Sequence, residues 1–80
     1  MASYEQYLQF MYTLLEKSHQ PEIELSEITE LVADIGMSSL EVMEFIEQIE
    51  DEFDISIPLN LLPGISTIGQ LAACLPGLQD

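Results

Sequence analysis

Ser39 is the residue of this 80-residue chain whose type and position could do chemistry. Ser38 and Glu41 stand three apart, the spacing of a capping box, so Ser38 caps a helix and Ser39 becomes its first helical residue. A hydroxyl there lies beside free backbone N–H groups at the positive end of the helix dipole. That environment suits an attached anion such as a phosphodiester. Leu40 follows at once, pointing away from the core beside a row of acids, which together read as a docking surface. From spacing alone, though, two adjacent serines are first a helix-start signal, and the chemistry stays open.

Other chemistries find no residues to carry them. Cys74 and His19 are each the only one of their kind, which rules out an internal disulfide and a cysteine zinc site, and placed as they are by the apolar patterning they offer no Ser-His-Asp or Cys-His set. His19, alone in a polar stretch, is expected to be a solvated side chain, and Cys74 is expected to be incidental. Calcium-loop spacing is missing around residues 51–54, and no glycine loop is built to cradle a phosphate. Carboxylates abound, but on solvated helix faces they catalyse nothing. The expectation is a protein that is not an enzyme and holds no metal.

Charge narrows the partners. Fifteen acids face Lys17 and no arginine, for a formal net charge of −14. Nucleic acids and anionic membrane surfaces are excluded, because binding them needs cations. Basic protein surfaces are favoured, most strongly at low salt. The same self-repulsion strains the fold, so stability should rise with salt. Acids that merely keep a small domain soluble would give the same composition. Hydrophobic residues make up 48%, enough for one core, and residues 1–80 read as a single domain. No apolar run approaches the roughly 18 residues that span a bilayer, and Met1-Ala2-Ser3-Tyr4-Glu5 lacks the basic start of a signal peptide. A cytoplasmic monomer is the expectation.

The elements that must position Ser39 can be read from periodicity. Ser3 and Gln6 offer a capping box for a first helix, with Tyr4, Tyr7, Leu8, Met11 and Leu15 as its buried stripe. Phe10, Tyr12 and Leu14 flank that stripe, and the helix should fade at Lys17 and Ser18, before Gln20-Pro21. Residues 18–38 form a long connection anchored by Ile23, Leu25, Ile28, Leu31, Val32 and Ile35, with a helical turn over 26–33. A loop this long can let the helices it joins run side by side in the same sense.

Gly36 permits a tight approach to the second helix, whose inner face is Val42, Phe45, Ile46, Ile49 and Phe53. Its opposite face carries Leu40, Glu44, Glu47 and Asp51, with Met43 and Glu50 at the margin. One helical turn is expected over 59–62, broken by Pro63-Gly64. Thr67 and Gln70 then cap a last helix that buries Ile68, Leu71, Ala72 and Leu75 and stops at Pro76-Gly77. Three main helices plus a short one make an all-α bundle.

Ile35-Gly36-Met37-Ser38-Ser39-Leu40 resembles the acyl carrier protein signature Leu-Gly-x-Asp-Ser-Leu. The likeness continues through Glu41-Val42-Met43-Glu44-Phe45-Ile46, Ile49-Glu50-Asp51-Glu52-Phe53, Ile55-Ser56-Ile57-Pro58 and Ile65-Ser66-Thr67-Ile68-Gly69-Gln70-Leu71. With the first helix it spans nearly the whole chain.

The resemblance implies a four-helix acyl-carrier bundle, with three main helices, one short helix and a long first loop. It implies that Ser39 receives 4′-phosphopantetheine from coenzyme A and that acyl groups ride on the arm as thioesters. It also implies that Leu40, Met43, Glu44, Glu47, Glu50 and Asp51 meet basic patches on partner enzymes. Those partners would be a phosphopantetheinyl transferase, a ketosynthase alone or paired with a chain-length factor, and an acyltransferase.

Two features depart from the family pattern. Ser38 stands where the family has aspartate, which removes a carboxylate presented to the transferase and its metal ion. Leu59-Asn60-Leu61-Leu62-Pro63 is more apolar than the acidic helix usual in fatty-acid carriers. Both favour a type II polyketide or specialised fatty-acid pathway. An aminoacyl or peptidyl carrier, and an acidic adaptor that lost its arm, remain the alternatives.

Overall fold

Each α-helix starts where a hydroxyl side chain accepts the N–H three residues on. Ser3 caps α1 (Tyr4–Ser18), Ser38 caps α2 (Ser39–Phe53) and Thr67 caps α3 (Ile68–Cys74). Gln6, Glu41 and Gln70 each reach back to the cap N–H, which completes three reciprocal boxes and satisfies two otherwise orphaned donors per helix. The computed structural model describes residues 3–19 and 22–78, with the backbone alone at Leu59. Met1-Ala2 and the expected stop at Gln20-Pro21 lie outside the described residues.

Two short 3-10 helices complete the all-α bundle, Leu59–Gly64 and Pro76–Leu78. The first does not stop at Pro63-Gly64 but runs through them, since the fixed φ of proline suits a 3-10 turn. At the end of α2, Asp54 adopts the left-handed conformation, φ 53° and ψ 50°, and Ile55 N–H closes back onto Glu50 O.

The core is the inner stripe of each helix brought together. Tyr7, Met11 and Leu15 of α1, Ile49 of α2, and Ile68, Leu71 and Leu75 in and just after α3 are fully buried. Phe53 fixes the direction of α2. Its ring lies 4.5 Å from Tyr7 and 5.3 Å from Phe10, centroid to centroid, both in the first half of α1. His19, just past the other end of α1, meets Glu41 in the first turn of α2. The two helices therefore run antiparallel, not in the same sense.

The long connection makes a round trip. From His19 it passes to the start of α1, where the Tyr4 phenol donates to Glu27, then returns to Ser38. Its anchors differ from those expected. Leu31 is buried, and Leu25 and Ile35 are half-buried, but Ile23, Ile28 and Val32 are exposed. Thr29 and Met37 are buried in their place. No continuous helix forms over 26–33, where Thr29 N–H closes a single turn onto Ser26 O at 3.1 Å. Turns at 31–35 carry the bonds Asp34 N–H to Glu30 O and Gly36 N–H to Val32 O, and Gly36 then takes φ +85°, which a side chain would resist.

The Tyr7 hydroxyl is buried without a hydrogen-bond partner, and burial pushes the phenol pKa up. An unmet buried hydroxyl costs about 1–3 kcal/mol, whereas the ring itself packs well. Tyr7→Phe should therefore raise stability by about 1 kcal/mol, read as a higher urea midpoint at unchanged slope.

Candidate functional site

The two adjacent serines are not equivalent. Ser38 Oγ accepts the Glu41 N–H at 3.2 Å, while Ser38 N–H donates to Glu41 Oε1 at 2.9 Å. The Ser38 side chain is thus committed to holding the helix start. Ser39 is the first residue inside α2, is exposed, and its hydroxyl has no hydrogen-bond partner among the described residues. The cap satisfies the N–H of Ser38 and Glu41, so the N–H groups of Ser39 and Leu40 keep no intrahelical partner. An anion esterified to Ser39 would meet those donors and the positive end of the helix. The residues present fit such a group.

Met37, 98% shielded just before the cap, pins this helix start to the core, and its N–H donates to Leu31 O at 3.1 Å. Sequence reading missed it as an anchor. The signal was there: an apolar residue before the cap with a second, Val42, at the fourth helical position is a staple pattern.

His19 is not a free solvated side chain. Its Nε2 lies 2.8 Å from Glu41 Oε2 and its Nδ1 lies 2.7 Å from Ser18 Oγ. One carboxylate therefore joins the end of α1 to the start of α2. The Ser38 backbone N–H, and after it the His19 ring, hold the Glu41 carboxyl below the usual carboxylate range. A depressed folded-state pKa adds stability that is present above the ordinary value and lost as pH falls through the lower one. Glutamine keeps the capping bonds but does not titrate. The stability difference between wild type and Glu41→Gln should thus be constant at neutral pH and close as pH drops below the ordinary carboxylate value. Urea titrations at several pH values read it.

On the outer side of α2, Leu40 is 67% exposed, and Met43, Glu44, Glu47 and Asp51 are exposed with it. Leu40, Glu44, Glu47 and Asp51 follow helical spacing along one rigid face. Glu50 has a second task. It is half-buried and its carboxylate accepts the Ile57 N–H at 2.6 Å, which ties the chain leaving α2 back to the helix. Met43 and Glu47, with Ile57 and Leu62, line a shallow groove of about 300 Å³ that widens this face beyond the helix. Leu62 also packs against the core.

Behind that face lies an apolar cavity of about 190 Å³ between residues 31–33, α2 and α3. Leu31, Val32, Val42, Ile46, Ile65 and Leu71 form most of its wall. Cys74 is half-buried and free. No helix among the described residues is long and apolar enough to cross a membrane.

Comparison with known proteins adds an independent line. The family model for a phosphopantetheine attachment site matches residues 13–75. A Caulobacter vibrioides protein named as an acyl carrier protein is 35% identical over 57 residues, covering 71% of this chain and 66% of the relative. The acyl carrier protein of Sulfurovum sp. is 39% identical over 46 residues, covering 58% and 61%. The meromycolate extension acyl carrier protein of Mycobacterium tuberculosis is 36% identical over 61 residues, covering 72% and 53%. The chain thus spans between 53% and 66% of the length of these relatives. A solved Mycobacterium tuberculosis structure titled as an acyl carrier protein superposes with a TM-score of 0.78 at 24% identity, over 89% of this chain and 96% of that one. Its likeness speaks to the fold.

Proposed function

The chain belongs to the acyl carrier protein family, and from that premise we propose that Ser39 carries its arm, in a type II polyketide or specialised fatty-acid pathway. As a member of that family it is a carrier rather than a catalyst, with covalently bound 4′-phosphopantetheine as its cofactor. The arm, taken from coenzyme A, supplies a terminal thiol on which acyl groups are held as thioesters. We treat residues 1–80 as one carrier domain.

A single observation supports the assignment to Ser39: of two neighbouring hydroxyls, one is bonded into the cap and the other is exposed at the helix start. Fragment-ion mass spectrometry of the peptide spanning residues 36–44 from loaded protein tests it. The added mass should sit on Ser39. Mass on Ser38, or a chain that no transferase can load, would overturn it.

The cargo reading is supported by the cavity. Its wall is mostly aliphatic, which suits an acyl chain better than a charged aminoacyl group. The replacement of aspartate by Ser38 and the apolar 3-10 segment support a specialised pathway over housekeeping lipid synthesis.

The partners we propose are a phosphopantetheinyl transferase, a ketosynthase or its pair with a chain-length factor, and an acyltransferase. Each would present a basic patch to Leu40, Met43, Glu44, Glu47 and Asp51, with Glu50 at the edge. Charge reversal at Glu44 and Glu47 tests this face. Both side chains are exposed, so the helix content of Glu44→Lys/Glu47→Lys should match wild type. Affinity for a ketosynthase should fall about tenfold, with a shallower salt dependence. Unchanged affinity and salt slope would leave the acids a solubilising role only.

A further inference from the structure

Lys17 and His19 are the only side chains of this acid-rich chain that can carry positive charge. Both stand at the end of α1. Lys17 lies in its last turn, and His19 closes it, donating its N–H to Leu15 O at 2.9 Å. That end of α1 meets the start of α2, so the cationic corner of the molecule is the corner beside Ser39.

The bonds around the His19 ring are matched by an imidazolium. A carboxylate only accepts, so Nε2, 2.8 Å from Glu41 Oε2, must donate. Nδ1 lies 2.7 Å from Ser18 Oγ, whose single proton goes to Leu14 O at 2.9 Å. A bare Nδ1 would compete with Leu14 for that proton. A protonated Nδ1 donates to the Ser18 oxygen instead, and every donor then has its acceptor. The negative end of the α1 dipole favours the same charged ring. From α2 the ring is faced by Glu41, with Glu44 lining the same pocket of about 260 Å³. On its own segment the charged neighbours in sequence are Glu16 and Lys17.

Glu41 poses a problem for an arm on Ser39. It stands in the first turn of α2, an anion beside the place where a second anion, the phosphodiester, would sit. Like charges this near repel. A free carboxylate oxygen could also turn onto the Ser39 and Leu40 N–H groups that the phosphodiester would use. Neither oxygen is free. Oε1 accepts the Ser38 N–H at 2.9 Å, and Oε2 is held by the His19 ring, whose side chain is only 19% exposed.

We propose that His19 is a positioning residue for the arm: acting through Glu41, it offsets and orients that carboxylate so that the first N–H groups of α2 are left to the phosphodiester on Ser39. The proposal rests on the carrier reading above. A plain staple between α1 and α2 would be a different role, because it would stabilise the unloaded and the loaded chain alike.

The test compares the chain loaded from coenzyme A by a broad-specificity transferase with the unloaded chain. His19 is the sole histidine, so its ring protons are read without overlap. The phosphorus NMR resonance of the arm should move with pH in step with those ring protons, at one shared midpoint. In His19→Gln, which keeps a donor for Glu41 but no charge, that step should vanish. Urea titrations are then run at a pH where the wild-type ring is charged. The ratio of holo to apo folding equilibrium constants should fall about threefold in His19→Gln and return in His19→Lys. A phosphorus resonance indifferent to the ring's titration overturns the proposal, and that measurement is made on wild type. So does a step that survives in His19→Gln, a ratio that glutamine leaves unchanged, or one that lysine does not restore. A chain that intact mass shows to be unloadable overturns the carrier reading as well, whereas a loaded chain with a silent phosphorus resonance overturns this proposal alone.

Discussion

Ser39→Ala is expected to take up no phosphopantetheine at all, under conditions that load wild type to completion. The effect is all-or-none because the variant removes the one oxygen that the arm would be esterified to. The fold should not notice. Ser39 is exposed at the first helical position, and alanine is at least as good a helix former there.

Ser38→Ala makes the contrast. Its hydroxyl holds the Glu41 N–H, so its loss should cost about 1 kcal/mol of stability, the usual value of an N-cap, yet the variant should still load fully. One substitution removes function and spares stability, and its neighbour does the reverse. Intact mass and a urea titration on both proteins check the pair. Mass gain that persists in the Ser39 variant would place the arm elsewhere.

Gly69→Ala should destabilise the domain by about 1–2 kcal/mol, against the usual direction for glycine in a helix. Two effects compete. Alanine gains helix propensity and lowers the entropy of the unfolded chain, together about 1 kcal/mol, but Gly69 is only the second residue of α3, where the propensity gain is small. Against this, a Cβ at that position would lie 2.8 Å from Glu27 O and 3.0 Å from Glu27 Cβ. Glu27 O is a backbone atom that also accepts the Gly69 N–H, so it cannot rotate away as the tip of a side chain would. The clash must displace the strand of loop that carries Thr29 and Leu31 into the core, and such overpacking costs about 1–3 kcal/mol. The thermal midpoint should fall by several degrees in a domain of this size, and amide exchange should quicken at residues 27–31 before it does in α1. A midpoint at or above that of wild type would mean that the loop yields freely.

The sites that were legible in the sequence are those whose bonds close within four residues. Ser3, Ser38 and Thr67 each meet a partner three positions on, so their capping boxes can be read by spacing alone. The inward stripes follow from helical period, and Tyr7, Met11, Ile49, Leu71 and Leu75 are buried as that period requires. The outward set from Leu40 to Asp51 is the complement of the same arithmetic.

The loop misled for an equally physical reason. Apolar type suggested that Ile23, Ile28 and Val32 would anchor it, but backbone bonds from 27–31 to 66–69 decide which side chains turn inward. Those bonds favour Thr29 and Leu31.

The sequence by itself determined where the helices start, which face of each is apolar, and that Ser39 stands at a positively polarised helix start. All of these are set by neighbours a few positions away along one chain segment. Tertiary structure alone decided the rest: the antiparallel sense of α1 and α2, the His19–Glu41 contact, the use of Glu50 to hold Ile57, and the outward display of Ile28 and Val32. The helix sense, the histidine contact and the loop display hang on partners roughly 20 to 50 positions away along the chain. Glu50 and Ile57, seven apart, meet only because the chain reverses after α2. Spacing carries no trace of such pairings, because they exist only once the core has closed.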